Sequence, residues 1–161
     1  MPRAGSPAPP CRAVDEAARE VDLGALWARA PTLLFFYKAD CGASEVAGPV
    51  LGRFAAIPGL EIAAVSQDGA AEARAFADAC RWPPSVRSLL DPAPWPASEA
   101  FGVRATPTWV LVERGGRVAA AFEGWSRDDA NGLAAHAAML AGAPPAVVAR
   151  PDGPEPALRP G

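Results

Sequence analysis

Residues Phe35-Phe36-Tyr37-Lys38-Ala39-Asp40-Cys41-Gly42-Ala43-Ser44-Glu45-Val46-Ala47-Gly48-Pro49 join an apolar strand to a helix through a short turn, with a cysteine where the helix begins. The run from 32 to 37 is continuously apolar, so a strand there must be covered on both faces. That requirement points to a layered α/β arrangement. A thiol at a helix N-terminus meets unpaired backbone N–H groups and the positive end of the helix dipole, and both favour the thiolate. The Ser44 hydroxyl, one turn on, is placed to donate to that sulfur. Lys38 should assist ionisation and Asp40 should limit it. A lowered pKa is expected for Cys41. Pro49 lies inside the helix, removes one backbone donor and should kink it.

Taken in order, residues 1–12 are rich in Pro, Ala and Gly and are expected to be disordered. Residues 13–30 read as helical, with Val14, Ala17, Ala18 and Val21 on one face and Leu26 and Trp27 on a second turn. The strand 32–37 is followed by a helix over 41–57, in which Val46, Val50, Phe54 and Ile57 face the sheet. A strand over 60–66, a helix over 68–80, a short strand over 86–90 and a helical turn over 97–101 come next. Two strands, 108–112 and 117–122, flank Glu113-Arg114-Gly115-Gly116, a hairpin signal. A helix over 128–141 closes the domain, and 142–161 reads as a proline-rich flexible tail. One domain over 13–141 results, with a mixed sheet of about five strands flanked by helices.

The composition narrows the function. The 161 residues carry a formal charge of −3, so no basic surface argues for nucleic acid or an anionic membrane. No run is long and apolar enough for a signal h-region or a membrane span, so a soluble cytoplasmic protein is expected. Three cysteines are too few for a disulfide framework and fit a reducing compartment. The single histidine, His136, excludes a multi-histidine metal site and reads as structural. No metal or cofactor is expected.

A second motif lies downstream, in Val103-Arg104-Ala105-Thr106-Pro107-Thr108-Trp109. Proline cannot donate to a ladder, so Pro107 belongs at a strand start. Together with Cys41-Gly42-Ala43-Ser44, Pro49 and Gly124, this motif resembles the thioredoxin-like superfamily over roughly residues 26–140. The long segment between Ser66 and Pro107 is similar to that of the TlpA/ResA-type or AhpC/TSA redoxin branch. The resemblance implies a thioredoxin-like fold with the redoxin-type insertion. It also implies a cis Pro107 beside the nucleophile, with the backbone of Thr106 shaping a substrate groove. Cys41 is then the nucleophile of a thiol oxidoreductase or antioxidant protein.

The chain departs from the family pattern at several positions. Ser44 replaces the second cysteine of CxxC, giving CxxS. Asp40 stands in place of a tryptophan, and Phe35 in place of a buried aspartate. Leu34 and Lys38 stand where peroxiredoxins carry proline and threonine. A resolving thiol must therefore be sought elsewhere. Cys80 is the internal candidate, against the plainer reading of a small buried hydrophobe. Cys11 is more simply incidental, although a mobile thiol there would be within reach. The CGAS sequence is also similar to the CGFS of monothiol glutaredoxins, but the rest of their signature is missing. Of Trp82, Trp95, Trp109 and Trp125, the last is expected nearest the groove. Arg104 reads as a surface charge or an anion contact.

The expected function is a thiol redox role, either thiol–disulfide exchange or one-cysteine peroxidase activity. Cys41 and Ser44 are its catalytic residues, and Thr106, Pro107 and Trp125 line its groove. Partners are disulfides, thiols or peroxides and an external thiol reductant. The alternative is a thioredoxin-fold binding or scaffold protein that uses the same groove without turnover.

Overall fold

In a computed structural model describing residues 1–161, the apolar run is strand β3 (Thr32–Tyr37), and all six of its residues are buried. It occupies the middle of a seven-stranded sheet of order β2-β1-β5-β4-β3-β6-β7. β4 (Glu61–Ser66) pairs with it in parallel, Phe35 opposite Ala64. β6 (Thr108–Val112) pairs with it antiparallel, Phe35 opposite Trp109. β5 (Val86–Leu90) extends the sheet in parallel beyond β4, and β7 (Val118–Glu123) forms a hairpin with β6. Successive side chains of a strand point to opposite faces, so β3 feeds two cores. Leu33, Phe35 and Tyr37 pack with Val50, Leu51 and Phe54 of α2 (Gly42–Phe54) and with Leu133 and Ala137 of α5 (Arg127–Ala141). Leu34 and Phe36 pack on the other face with Leu23, Leu26, Trp27 and Phe101. A buried aromatic or aliphatic side chain contributes about 1.5–3 kcal/mol, so this one strand anchors much of both layers.

The five-stranded core matches the expectation, and the two further strands come from a segment read as helical. Residues 13–30 instead form β1 (Arg12–Val14), β2 (Glu20–Asp22) and only a short α1 (Gly24–Trp27). The Asp15 carboxylate accepts N–H bonds from Ala17 and Arg19, and Ala18 takes a positive φ of 59°. These local bonds form a tight turn in place of a helix. Ala17 and Ala18, expected to face the core, are exposed. Val14 pairs with Leu90, so the hairpin covers the outer edge of β5.

Both ends also depart from a loose description. The Gly5 N–H donates to Val118 O, and the Ala8 N–H donates to Gly116 O, along the edge of β7. Ala8 and Cys11 then pack on the second core. At the other end, Asn131 donates to Ala149 O and accepts the N–H groups of Val148 and Ala149, both of which are buried. Glu155 is buried and ion-paired to Arg53 of α2. β9 (Leu158–Arg159) pairs antiparallel with β8 (Trp125–Ser126), a two-residue strand that enters α5. The remaining helices, α3 (Ala70–Ala79) and α4 (Pro96–Ala100), lie close to the expected ranges. No helix is long and apolar enough to cross a membrane.

Candidate active site

Cys41 is the N-cap of α2, with extended backbone angles of φ −91° and ψ 118°. Its carbonyl accepts the Glu45 N–H at 3.0 Å, the first bond of the helix. The turn before it is fixed from two sides. The Cys41 N–H donates to Lys38 O, and the Ala39 N–H donates to the Asp68 carboxylate at 2.6 Å. Asp68, expected only to start a helix, thus holds the cysteine turn.

The thiol of Cys41 donates to the Thr106 carbonyl at 2.9 Å. The Thr106–Pro107 bond is cis. The motif is braced around that contact. Thr108 Oγ1 donates to Ala105 O at 2.7 Å, and the Gly124 N–H donates to Pro107 O at 2.7 Å. The two motifs far apart in sequence therefore meet at one sulfur.

Partial burial pushes the Cys41 pKa up. Hydrogen bonds from the Thr106 side chain, the Ser44 N–H and hydroxyl and the Ala43 N–H outweigh burial and hold the thiol below its ordinary value. Ser44 is fully buried, and its hydroxyl meets no partner at full hydrogen-bond geometry, so its action on the sulfur is that of a nearby dipole. Asp40 does not act as expected. It is 79% exposed and pairs with Lys38 at 3.7 Å, so the two charges offset each other in solvent.

The remaining site residues separate. Trp125 is fully buried, and its Nε1 donates to Pro156 O, so it supports the tail and does not line a groove. Its position after Gly124 suggested the groove, but the tail covers it. Trp95 is the exposed tryptophan, at 43%, and its Nε1 donates to Gln67 O. With Lys38, Gln67, Arg104 and Thr106 it lines a cavity of about 290 Å³. Trp109 is buried, and Trp82 packs against Phe35, Tyr37 and Phe76.

Cys80 sits against Gly48, where its sulfur would lie 2.5 Å from any Cβ. Gly48 is seven residues along α2 from Cys41, a rise of about 10 Å at 1.5 Å per residue. A disulfide needs Cα atoms within about 7 Å, and the sulfur of Cys80 is seated about two turns along α2 from Cys41. Burial also pushes the Cys80 pKa up to about 12. Cys11 is likewise raised to about 12, by burial and then by Asp91 and Asp22, and packs on the opposite core. All three thiols are free. No group of three or more His, Cys, Asp or Glu residues converges to hold a metal ion.

Sheet order, helix placement and the meeting of Cys41 with Thr106-Pro107 define a thioredoxin-like fold. The chain belongs to the TraF family (F plasmid transfer operon protein), whose model matches residues 12–124. Among solved structures, a protein from Chlorobium tepidum assigned as the thiol:disulfide interchange protein DsbE has a TM-score of 0.72 at 23% identity. That alignment covers 88% of this chain and 98% of that one. DsbF of Mycobacterium tuberculosis gives a TM-score of 0.68 at 21% identity, covering 81% and 94%. A peroxiredoxin-like protein from Aquifex aeolicus gives 0.66 at 16%, covering 83% and 86%. At these identities the likeness is one of fold. No curated protein matches the sequence.

Proposed function

We propose that this protein is a thiol redox protein in which Cys41 is the single nucleophile. The observation that carries the reading is the seat of its sulfur. It lies at the start of α2, 2.9 Å from the Thr106 carbonyl, among donors that lower its pKa. The Cys41 thiolate attacks one sulfur of a disulfide RSSR′. The Cys41–SR bond forms, the S–S bond breaks, and R′S⁻ leaves. Ser44 stabilises the thiolate but has no sulfur to attack the mixed disulfide. An external thiolate R″S⁻ therefore attacks the R sulfur, releases RSSR″ and returns Cys41 as thiolate. With a peroxide, Cys41 becomes a sulfenic acid while ROH leaves, and two external thiols restore it. A cytoplasmic setting, where such thiols are plentiful, belongs to the proposal. The likeness to DsbE, DsbF and a peroxiredoxin-like protein supports this class of chemistry.

The test compares the wild type with Cys41→Ser against a small disulfide and against hydrogen peroxide, each with an external thiol. Turnover by the wild type, a single mixed-disulfide adduct by intact mass, and loss of both in Cys41→Ser are expected. Equal background rates in the two proteins overturn the reading and leave binding without turnover. Loss of turnover in Cys80→Ser would show that resolution is internal after all.

A further inference from the structure

The groove beside Cys41 already holds a piece of polypeptide. From the buried Glu155 onward, the chain runs back to the site. The Arg127 N–H donates to Ala157 O, and β9 pairs with β8. Arg159 then lays its guanidinium over Gly42, the residue after the nucleophile. A Cβ at Gly42 would collide with Arg159 Nη2 and stand 3.0 Å from its Cζ. The Arg159 carbonyl and the Gly161 nitrogen close on Gly124, where a Cβ would meet them at 3.0 and 2.8 Å. Gly161 lies so near Thr106 that its own Cβ would be 2.6 Å from the Thr106 carbonyl oxygen. That oxygen is the one that accepts the Cys41 thiol. Residues 158–161 therefore fill the surface between Gly42, Gly124 and Thr106. An extended peptide bringing a disulfide to Cys41 along that surface meets the tail first.

Another approach stays open. The cavity of about 290 Å³ shares Thr106 with the thiol and is lined by Lys38, Gln67, Trp95 and Arg104. That volume is at the small end of ligand pockets. Arg104 makes no ion pair, whereas Lys38 is shared with Asp40. The opening therefore suits a compact, negatively charged molecule with an apolar part to lie on Trp95.

We propose that the tail 158–161 shuts the polypeptide side of the groove, so that Cys41 exchanges with small anionic disulfides and thiols and not with polypeptide disulfides. The assignment of exchange chemistry rests on the function proposed above, but the gating by the tail does not.

The experiment uses the full chain, a chain ending at Ala157, and full-length Arg159→Ala and Arg104→Ala. Gating is read by Cys41 alkylation with iodoacetamide and with a polymer-linked maleimide, localised by mass spectrometry. Removing the tail should raise the polymer-maleimide rate about tenfold, since reactivity scales with the open fraction. The iodoacetamide rate should change less than about twofold. Arg159→Ala should fall between, and adding a peptide of residues 155–161 should restore protection to the shortened chain. Equal polymer-maleimide rates in the full and shortened chains, and in Arg159→Ala, overturn the gate. Selectivity is read with a dianionic aromatic disulfide, 5,5′-dithiobis(2-nitrobenzoic acid), and with neutral 2-hydroxyethyl disulfide. Arg104→Ala should lower the ratio of the two rates by about threefold or more. An unchanged ratio overturns the anionic preference. No exchange with either disulfide in any chain overturns the redox reading and leaves the alkylation result to judge the gate by itself.

Discussion

Cys41 and Cys80 both lie against α2, and their surroundings drive them in opposite directions. Cys41 faces donors and is held below the ordinary thiol value, whereas Cys80 faces Phe76 and Gly48 and is pushed up to about 12. The consequences for stability have opposite signs. Between the lowered value of Cys41 and the ordinary 9.0, the folded protein holds the thiolate while the unfolded chain holds the proton. Stability from this group therefore rises with pH in that window and is lost as pH falls through the folded value. From 9.0 to about 12 the folded protein keeps the protons of Cys11 and Cys80 while the unfolded chain sheds them, so stability falls as pH rises. Urea midpoints measured across pH should show a decline above pH 9 that is shallower in Cys80→Ala. A pH titration of Cys41 alkylation should give a midpoint below that of a free thiol. Ser44→Ala should move that midpoint up and slow alkylation at neutral pH; an unmoved midpoint would remove the serine from the mechanism.

At the scale of elements, legibility followed the range of the forces involved. β3, α2, α3 and the β6–β7 hairpin were readable because periodicity and turn chemistry are local signals. The cysteine and Thr106-Pro107 motifs were readable for the same reason. The segment 13–30 was not. Its alanines and valines fit a helical face, but an Asp15-centred turn and the unpaired edge of β5 decided the outcome, and an edge 76 residues away leaves no local trace. Arg159 had no sequence signal at all, because only the return of the tail brings it to Gly42. The tight seat of Cys80 on α2 makes a prediction at this scale. A methyl group at Gly48 would lie 2.5 Å from Cys80 Sγ and 2.8 Å from Phe76. Gly48→Ala should destabilise by about 1–3 kcal/mol, as overpacking does. Cys80→Ala in the same chain should recover part of that loss, and a double-mutant cycle in urea would measure the coupling. Additive effects would mean that Phe76 alone sets the limit.

For the whole molecule, the tail acts as a third layer laid over α2 and α5. Asn131 is its first tether, with three backbone hydrogen bonds to Val148 and Ala149. Asn131→Ala leaves backbone groups of the buried Val148 and Ala149 unpaired and should cost about 1–3 kcal/mol in urea. If the tail is one cooperative strap, the same change should also raise the reactivity of Cys41 toward bulky reagents, although Asn131 lies on α5 and not at the thiol.

The tail's attachments have a temporal side. Arg53 meets Glu155 across 102 residues of chain, and Thr106 meets Gly161 across another long interval. The contact between Cys41 and Thr106 spans 65, and both of its partners precede the tail in the chain. Synthesis proceeds from the N-terminus, so the pieces that assemble the thiol site have emerged well before the residues that cover it. On the proposed gate, a nascent chain passes through an interval in which Cys41 has met Thr106 and is still open to polypeptide, and that access closes when residues 158–161 settle onto Gly42.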